Sequence, residues 1–320
     1  MSLNRTHTSK EEVPKDLGFG TRTQEKGARL LNQDGTFNIE RRGLKRDWST
    51  NIYHTLITMS WSRFSLLVLS IYLFANLIFA NLYLIAGSDS LDGTKGLNTL
   101  SKFWNAFFFS AQTITTVGYG KITPQGFFPN AIASIESMIG LLGFALATGL
   151  LYGRFSRPVA KIIYSHNALI APYHEGRGFM FRLANARKNQ LIEAEIQAVL
   201  SLNEMIHGKS TRTFHVLKLE REKINFIFSS WTIVHPIHED SPFHNLSLED
   251  LINAEAEITI LLKAFDDSFS QTVYSRSSYK AEEFVWGAKF SNIHGRTKNG
   301  AYVDLHRIGE FEKAELPALN

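Results

Sequence analysis

Thr116-Val117-Gly118-Tyr119-Gly120 decides how the rest of the chain is read. Four copies of such a segment around one axis present rings of backbone carbonyls that can replace the water around a potassium ion. The glycines have a physical purpose, since successive carbonyls face the axis only if some residues take backbone angles that a Cβ opposes. Thr116 can add a ring of hydroxyls at the inner mouth, and Tyr119 can brace the loop by pointing away from the pore. Taken alone, a Gly-Tyr-Gly run also suits a surface turn, so the flanking sequence must choose.

The flanks are specific. Residues 64–87 contain no charged side chain, and residues 127–153 contain only Glu136. Each run is long enough to cross a bilayer as a helix, giving predicted spans over 63–87 and 127–153. Lys45, Arg46 and Arg63 precede the first, and Arg154, Arg157 and Lys161 follow the second. The positive-inside rule then puts both termini in the cytoplasm of a cell (inner) membrane. Between the spans, Phe103-Trp104-Asn105-Ala106-Phe107-Phe108-Phe109 is apolar but too short to cross, which predicts a re-entrant pore helix over about 102–114. The filter segment 116–120 follows at once. Non-helical backbone at membrane depth is tolerated only where it lines a cavity or is buried in protein, so the turn reading is set aside.

Within the spans, Glu136 reads as a structural carboxylate packed behind the pore loop, and Asn76 and Asn81 as interhelical hydrogen bonders. Gly140 and Gly143 share a face of the second span; close packing is their commoner use, and a gating hinge the sharper one. Phe144 and Tyr152 lie about two helical turns apart, so both can face one axis, with Tyr152 the better closing constriction. Trp48, Ile52, Tyr53, Leu56 and Ile57 recur at helical spacing after Asp47, a helix cap, and predict an interfacial helix over 47–60.

The remainder is of a different kind. Residues 1–28 read as a polar, disordered tail, and 154–172 as a linker. From 173 to 311, short β-rich runs alternate with turn clusters such as Asp240-Ser241-Pro242 and Asp266-Asp267-Ser268, as in a β-sandwich, before a tail over 312–320. Ser247 and Asp250 have the spacing of a helix capping box. With no cysteine, disulfides and thiolate chemistry are excluded. The net charge of +4 has no concentrated basic block, which argues against nucleic acid. No catalytic constellation appears, so the chain does not read as an enzyme. His235 and His238 could be a metal pair, yet nothing completes a closed site.

These residues resemble the prokaryotic inward-rectifier potassium channels over about residues 30–311. The resemblance rests on residues 116–121 in the pore and on Gly153-Arg154-Phe155-Ser156-Arg157-Pro158. In the soluble half it rests on Phe181-Arg182-Leu183-Ala184-Asn185-Ala186-Arg187, Trp231-Thr232-Ile233-Val234-His235 and Arg276-Ser277-Ser278-Tyr279. Leu31-Asn32-Gln33-Asp34-Gly35-Thr36 resembles the family's N-terminal strand, so that 29–46 would dock on the C-terminal domain.

The resemblance implies a homotetramer: an α-helical two-span pore domain (61–153) with a re-entrant loop, and an immunoglobulin-like cytoplasmic β-sandwich. It implies passive conduction, with K⁺ held by Thr116, Val117, Gly118 and Tyr119 and no organic cofactor. It also implies gating at Tyr152, acidic residues Glu193 and Asp267 along the cytoplasmic pore, and a constriction over 265–271. The resemblance implies polyamine or Mg²⁺ as pore blockers, but the stretches where animal members carry lipid-binding basic residues read Ser60-Trp61-Ser62 and Val159-Ala160 here. Arg46, Arg154, Arg157 and Lys161, with Trp48 of the interfacial helix, remain to attract anionic membrane lipids, without the animal pattern of phosphoinositide activation.

In the pore, three positions depart from the family. Phe144 stands where strong rectifiers carry a cavity acid, Gln112 where the filter is usually braced by glutamate, and Lys121 where many filters end in aspartate. Two other readings are a potassium channel gated by a nucleotide-binding domain, which lacks its glycine fingerprint here, and a non-conducting, membrane-anchored β-sandwich that binds a partner.

Overall fold

The computed structural model describes residues 29–38, 48–87, 90–156, 160–298 and 300–317, with backbone alone for 48–51. The predicted tail over 1–28, Arg46, Arg157 and the Trp48 side chain lie outside those residues. The chain divides into two compact units, Gly43–Arg157 and a second made of Met1–Arg42 with Pro158–Asn320.

The first unit is helical. Helix α1 covers Trp48–Thr58, α2 Trp61–Ile85, α3 Thr99–Ile114 and α4 Phe127–Phe155. Helices α2 and α4, of 25 and 29 residues, are the two that are long and apolar enough to cross a membrane among the described residues. Helix α3 starts three residues before its predicted start. The Asn98 side chain accepts the Ser101 N–H at 2.8 Å, so the helix is capped ahead of its apolar run by a polar first turn. Phe79, Ala80 and Tyr83 of α2 bury against Ala106 and Phe109 of α3, with the Tyr83 and Phe109 rings 5.1 Å apart. A two-residue strand, β1 (Leu91–Asp92), pairs with β2 (Thr123–Pro124) and ties the segment after α2 to the segment after the filter.

The second unit is a β-sandwich. Its strands are β3 (Ile162–Tyr164), β4 (Ala168–Tyr173), β5 (Gly176–Asn185), β6 (Leu191–Ile206), β7 (Lys209–Val216), β8 (Lys223–Phe226) and β9 (Ser230–Ile237). There follow a short helix α5 (Leu248–Asn253), β10 (Glu257–Asp266), β11 (Gln271–Lys280), β12 (Phe284–Trp286), β13 (Ala288–Phe290), β14 (His294–Thr297), β15 (Gly300–Val303) and β16 (Phe311–Lys313). One sheet runs β11-β10-β6-β7 with β8 on β6; the other runs β12-β4-β5-β3 with β9 on β5. Phe179, Phe181 and Leu183 from one sheet, and Ile196, Leu200, Ile258 and Ile260 from the other, share a single core. Ser247 and Asp250 form the capping box that starts α5.

The structure moves both predicted edges of this unit. The stretch 154–172, read as a linker, holds the end of α4, β3 and most of β4; Ala168, Leu169, Ile170 and Ala171 are fully buried sandwich residues. At the other end, β16 pairs with β13, and the Arg177 Nε donates to the Pro317 carbonyl at 2.9 Å, so the fold continues as far as residue 317, into the stretch read as a tail. The longest strand, β6, is absent from the β-rich runs read in the sequence. At Glu193 the backbone turns to φ +48°, and the pairing with β10 shifts register between Lys263 and Phe265. That bulge flips the alternation of buried side chains between Leu191 and Ala194, which blurs the period of two.

Residues 29–38 form a tight turn bridged between Leu31 and Phe37. The Leu30 and Leu31 N–H groups donate to the Glu257 carboxylate, and Arg29 pairs with Glu283 at 2.8 Å.

Candidate ion pathway

The filter backbone alternates. Thr116, Gly118 and Gly120 have φ of +60°, +54° and +76°, whereas Val117 and Tyr119 are not in the left-handed region. Successive carbonyls of such a chain can point to one side, and glycine meets the requirement at two of the three positions at no steric cost. Thr116 meets it under strain, as held residues at functional sites commonly do.

The loop is suspended from the end of α3. The Gln112 carbonyl accepts the Val117 N–H at 2.8 Å and the Gly118 N–H at 3.3 Å, and the Thr113 carbonyl accepts the Thr116 N–H at 3.0 Å. Gln112 therefore holds the 116–120 loop through its backbone; among the described residues its side chain makes no hydrogen bond within the subunit. Lys121 is exposed, and its carbonyl lies so close to Gly93 that a Cβ there would come within 2.9 Å.

Behind the loop sits a buried polar cluster. Glu136 of α4 is fully buried. The Tyr83 hydroxyl of α2 donates to one of its oxygens at 2.6 Å, and Ser110 of α3 hydrogen-bonds the other. Ser110 also reaches the Asn76 Oδ1 at 3.0 Å, and the Asn76 amide donates to the Tyr72 carbonyl at 2.9 Å. Three helices thus meet on one carboxyl group, which satisfies polar atoms that would be costly to leave unpaired at membrane depth. Tyr83 and Ser110 carry no signal as single residues in an apolar sequence. Asn81 instead bonds back to Leu77 in its own helix at 2.7 Å.

Gly140 fits against the same region. A Cβ built there would lie 2.1 Å from the Ile114 carbonyl oxygen and 2.8 Å from its carbon. Nothing lies within 4 Å of a Cβ at Gly143. Gly140 is therefore where α4 touches the backbone at the end of α3. Phe144 and Tyr152 each expose 74% of their surface in the single subunit.

At the end of α4, Arg154 is taken up by local contacts. Its guanidinium donates to the Leu56 carbonyl at 2.5 Å and the Met59 carbonyl at 2.7 Å. It also lies over the Trp61 and Phe64 rings, 4.6 and 4.5 Å from their centroids. A basic residue capping the last carbonyls of α1 is favourable, and it leaves few donors for a lipid head group. Lys161 is exposed.

In the sandwich, Glu193 at the bulge and Asp267 in the β10–β11 turn are both exposed, and strand pairing places them at the same end of one sheet. His235 is buried, with Nδ1 2.6 Å from the Lys218 carbonyl and Nε2 2.8 Å from the Ser241 hydroxyl. Both nitrogens are in use, so His235 and His238 do not form a metal pair. Among the described residues no group of three His, Asp or Glu is arranged to hold a metal ion. Burial holds the His235 imidazole below its ordinary range.

Comparison with known proteins found matches over both units of the chain. Residues 162–320 match the family described as inward rectifier potassium channel C-terminal domain, and residues 66–157 match the family described as ion channel. The inward rectifier potassium channel Kirbac3.1 of Paramagnetospirillum magnetotacticum is 37% identical over 286 residues, covering 88% of this chain and 95% of that one. The G protein-activated inward rectifier potassium channel 2 of Rattus norvegicus is 27% identical over 339 residues, covering 98% of this chain and 78% of its own. The solved structure of Spo0M, a sporulation control protein from Bacillus subtilis, aligns with 39% of this chain and 49% of its own at 9% identity. Its TM-score of 0.20 carries no weight.

Proposed function

This chain belongs to the inward rectifier potassium channel family, and from that premise we propose how its own residues build the channel. It is a membrane protein and a potassium channel, not an enzyme. Four copies surround one axis, with the membrane crossed twice per subunit and both termini in the cytoplasm. K⁺ sheds water onto the carbonyls of Thr116, Val117, Gly118 and Tyr119, with Gly120 closing the loop. The observation that carries this reading is the alternation of left-handed backbone at Thr116, Gly118 and Gly120.

Below the filter, Phe144 gives the cavity an apolar ring where a carboxylate would hold Mg²⁺ or a polyamine, so intrinsic rectification from the cavity is weak. Tyr152 forms the constriction near the cytoplasmic end of α4. Beyond it the sandwich extends the pathway, with Glu193 and Asp267 supplying negative charge and the loop over 265–271 its narrow point. Residues 29–46 dock on the sandwich, which the Glu257 and Glu283 contacts support. Arg46, Trp48, Arg157 and Lys161 meet anionic lipid at the cytoplasmic surface. Arg154 contributes chiefly by holding α1 to α4, through its bonds to the Leu56 and Met59 carbonyls.

The test is ion flux into liposomes holding the purified protein. K⁺ uptake that exceeds Na⁺ uptake and is blocked by Ba²⁺ is expected; equal K⁺ and Na⁺ flux sinks the proposal. Steep voltage-dependent block by internal spermine that survives Phe144→Ala would overturn the cavity assignment. Rubidium flux with and without phosphoinositide gives the sign of the lipid effect.

A further inference from the structure

The β10–β11 turn is tied down by a buried carboxylate. Asp266 is fully buried and makes no ion pair among the described residues. One of its oxygens accepts the Ser268 N–H at 3.0 Å, which shapes the turn itself. The other accepts the Asn189 Nδ2 at 2.7 Å, from the loop between β5 and β6. The Asn189 amide is held in that orientation because Asn185 donates to its Oδ1 at 3.2 Å and to its backbone carbonyl at 2.8 Å. Beside this, the Asp267 N–H donates to the Gln190 carbonyl at 3.3 Å.

A turn of this kind needs only one side-chain acceptor. Burying a whole carboxylate is costly unless its oxygens are hydrogen-bonded, and here the second oxygen is spent on a different loop. Residues 267–270 that follow are all exposed, so the buried clasp carries the exposed tip.

We propose that Asn189 and Asp266 form a clasp that sets the position of the 267–270 tip, and so the width of the cytoplasmic opening. Asp266 and Asn189 are positioning residues in this scheme; neither touches the ion. The width claim rests on the reading of this loop as a border of the pathway.

The two residues can be exchanged. Asn189→Asp sets two carboxylates face to face and breaks the clasp. Adding Asp266→Asn restores every bond with the direction of one reversed. The new amide donates to the carboxylate now at position 189, its oxygen accepts the Ser268 N–H, and Asn185 still donates to position 189. Net charge and composition are those of the natural chain. The full-length channel in liposomes is the sample, with rubidium flux and hydrogen exchange of the 267–268 amides as readouts. Asn189→Asp is expected to speed that exchange about ten- to hundredfold, the loss of a charge-assisted hydrogen bond, and to shift flux at least twofold. The exchanged pair should return both to within about twofold of the natural channel.

Flux and exchange unchanged in Asn189→Asp, or no recovery in the exchanged pair, overturns the clasp. The chain has no cysteine, so Ser268→Cys provides an independent check on the pathway. If a charged thiol reagent at that position leaves flux unaltered while exchange follows the expected pattern, the loop does not border the pathway; the clasp stands and the width claim falls. If the reagent alters flux and the clasp variants do not, the clasp does not set the opening.

Discussion

Replacing Gly140 by alanine adds one methyl group at the point where α4 meets the end of α3. That carbon would stand 2.1 Å from the Ile114 oxygen, 2.8 Å from its carbonyl carbon and 3.0 Å from its Cα, all of them backbone atoms. No rotamer change can relieve such a contact, so the two helices must part by about 1 Å in an interior packed as densely as a crystal. Overpacking of this kind costs about 1–3 kcal/mol, more than the roughly 1 kcal/mol that alanine contributes as a better helix former. The displaced residue is two positions before Thr116, and the Val117 and Gly118 N–H groups hang from Gln112 in the same turn. The strain therefore enters the filter. We expect Gly140→Ala to lower K⁺-over-Na⁺ discrimination by at least tenfold, since about 1.4 kcal/mol corresponds to a factor of ten. The assay is paired K⁺ and Na⁺ flux in liposomes. Gly143→Ala is the control, because nothing lies within 4 Å of its added methyl, and its selectivity should match the natural channel. Two results would refute the reasoning: natural selectivity in Gly140→Ala, or a loss in Gly143→Ala alone, which would make bending rather than packing the purpose of these glycines.

Other substitutions probe other parts. Tyr83→Phe leaves Glu136 one buried partner short, for a loss of about 1–3 kcal/mol; a lower melting temperature of the detergent-solubilised channel is expected, and an unchanged one would deny the cluster a stabilising role. Arg154→Lys keeps the charge but loses the flat fork that reaches two carbonyls and two rings; amides 55–59 should exchange about tenfold faster, whereas a purely lipid-binding charge predicts no change. His235 is held below its ordinary value near 6.5 by burial. The folded protein thus binds fewer protons than the unfolded chain as pH falls below that value. Its contribution is complete above about pH 6.5 and is lost as pH falls through the lower folded value. Melting temperatures measured from about pH 7 to about pH 5 should decline less steeply in His235→Gln, and an identical slope would remove His235 as a source of acid sensitivity.

Some of this could be read from the chain and some could not, for physical reasons. The spans and the filter announce themselves, because a bilayer demands long uncharged runs and a carbonyl-lined loop demands glycine where φ is positive. The braces are silent. Ser110 and Tyr83 are unremarked residues in apolar helices until folding brings Glu136 between them. Gln112 drew attention for its side chain, yet its carbonyl does the supporting. Strand β6 hid behind the bulge at Glu193, and the strands over 162–173 were short apolar runs just beyond a membrane helix, easily taken for a linker. For Arg154 the sequence shows a charge but not the two carbonyls that the guanidinium reaches.

The clamp of Glu257 on Leu30 and Leu31 has a consequence for how the protein is made. The partners lie 227 residues apart, and both spans are translated between them. At about 5–20 residues per second, the early segment waits roughly 10–45 s on the ribosome before its carboxylate partner is synthesised. During that interval both spans must enter the bilayer while residues 29–31 lack the strands they will join. A membrane insertion that stalled or inverted one span would leave the early segment on the wrong side of the bilayer from Glu257. The join between residues 30–31 and β10 therefore records correct insertion, because the sandwich gains this early segment only when both crossings have been made.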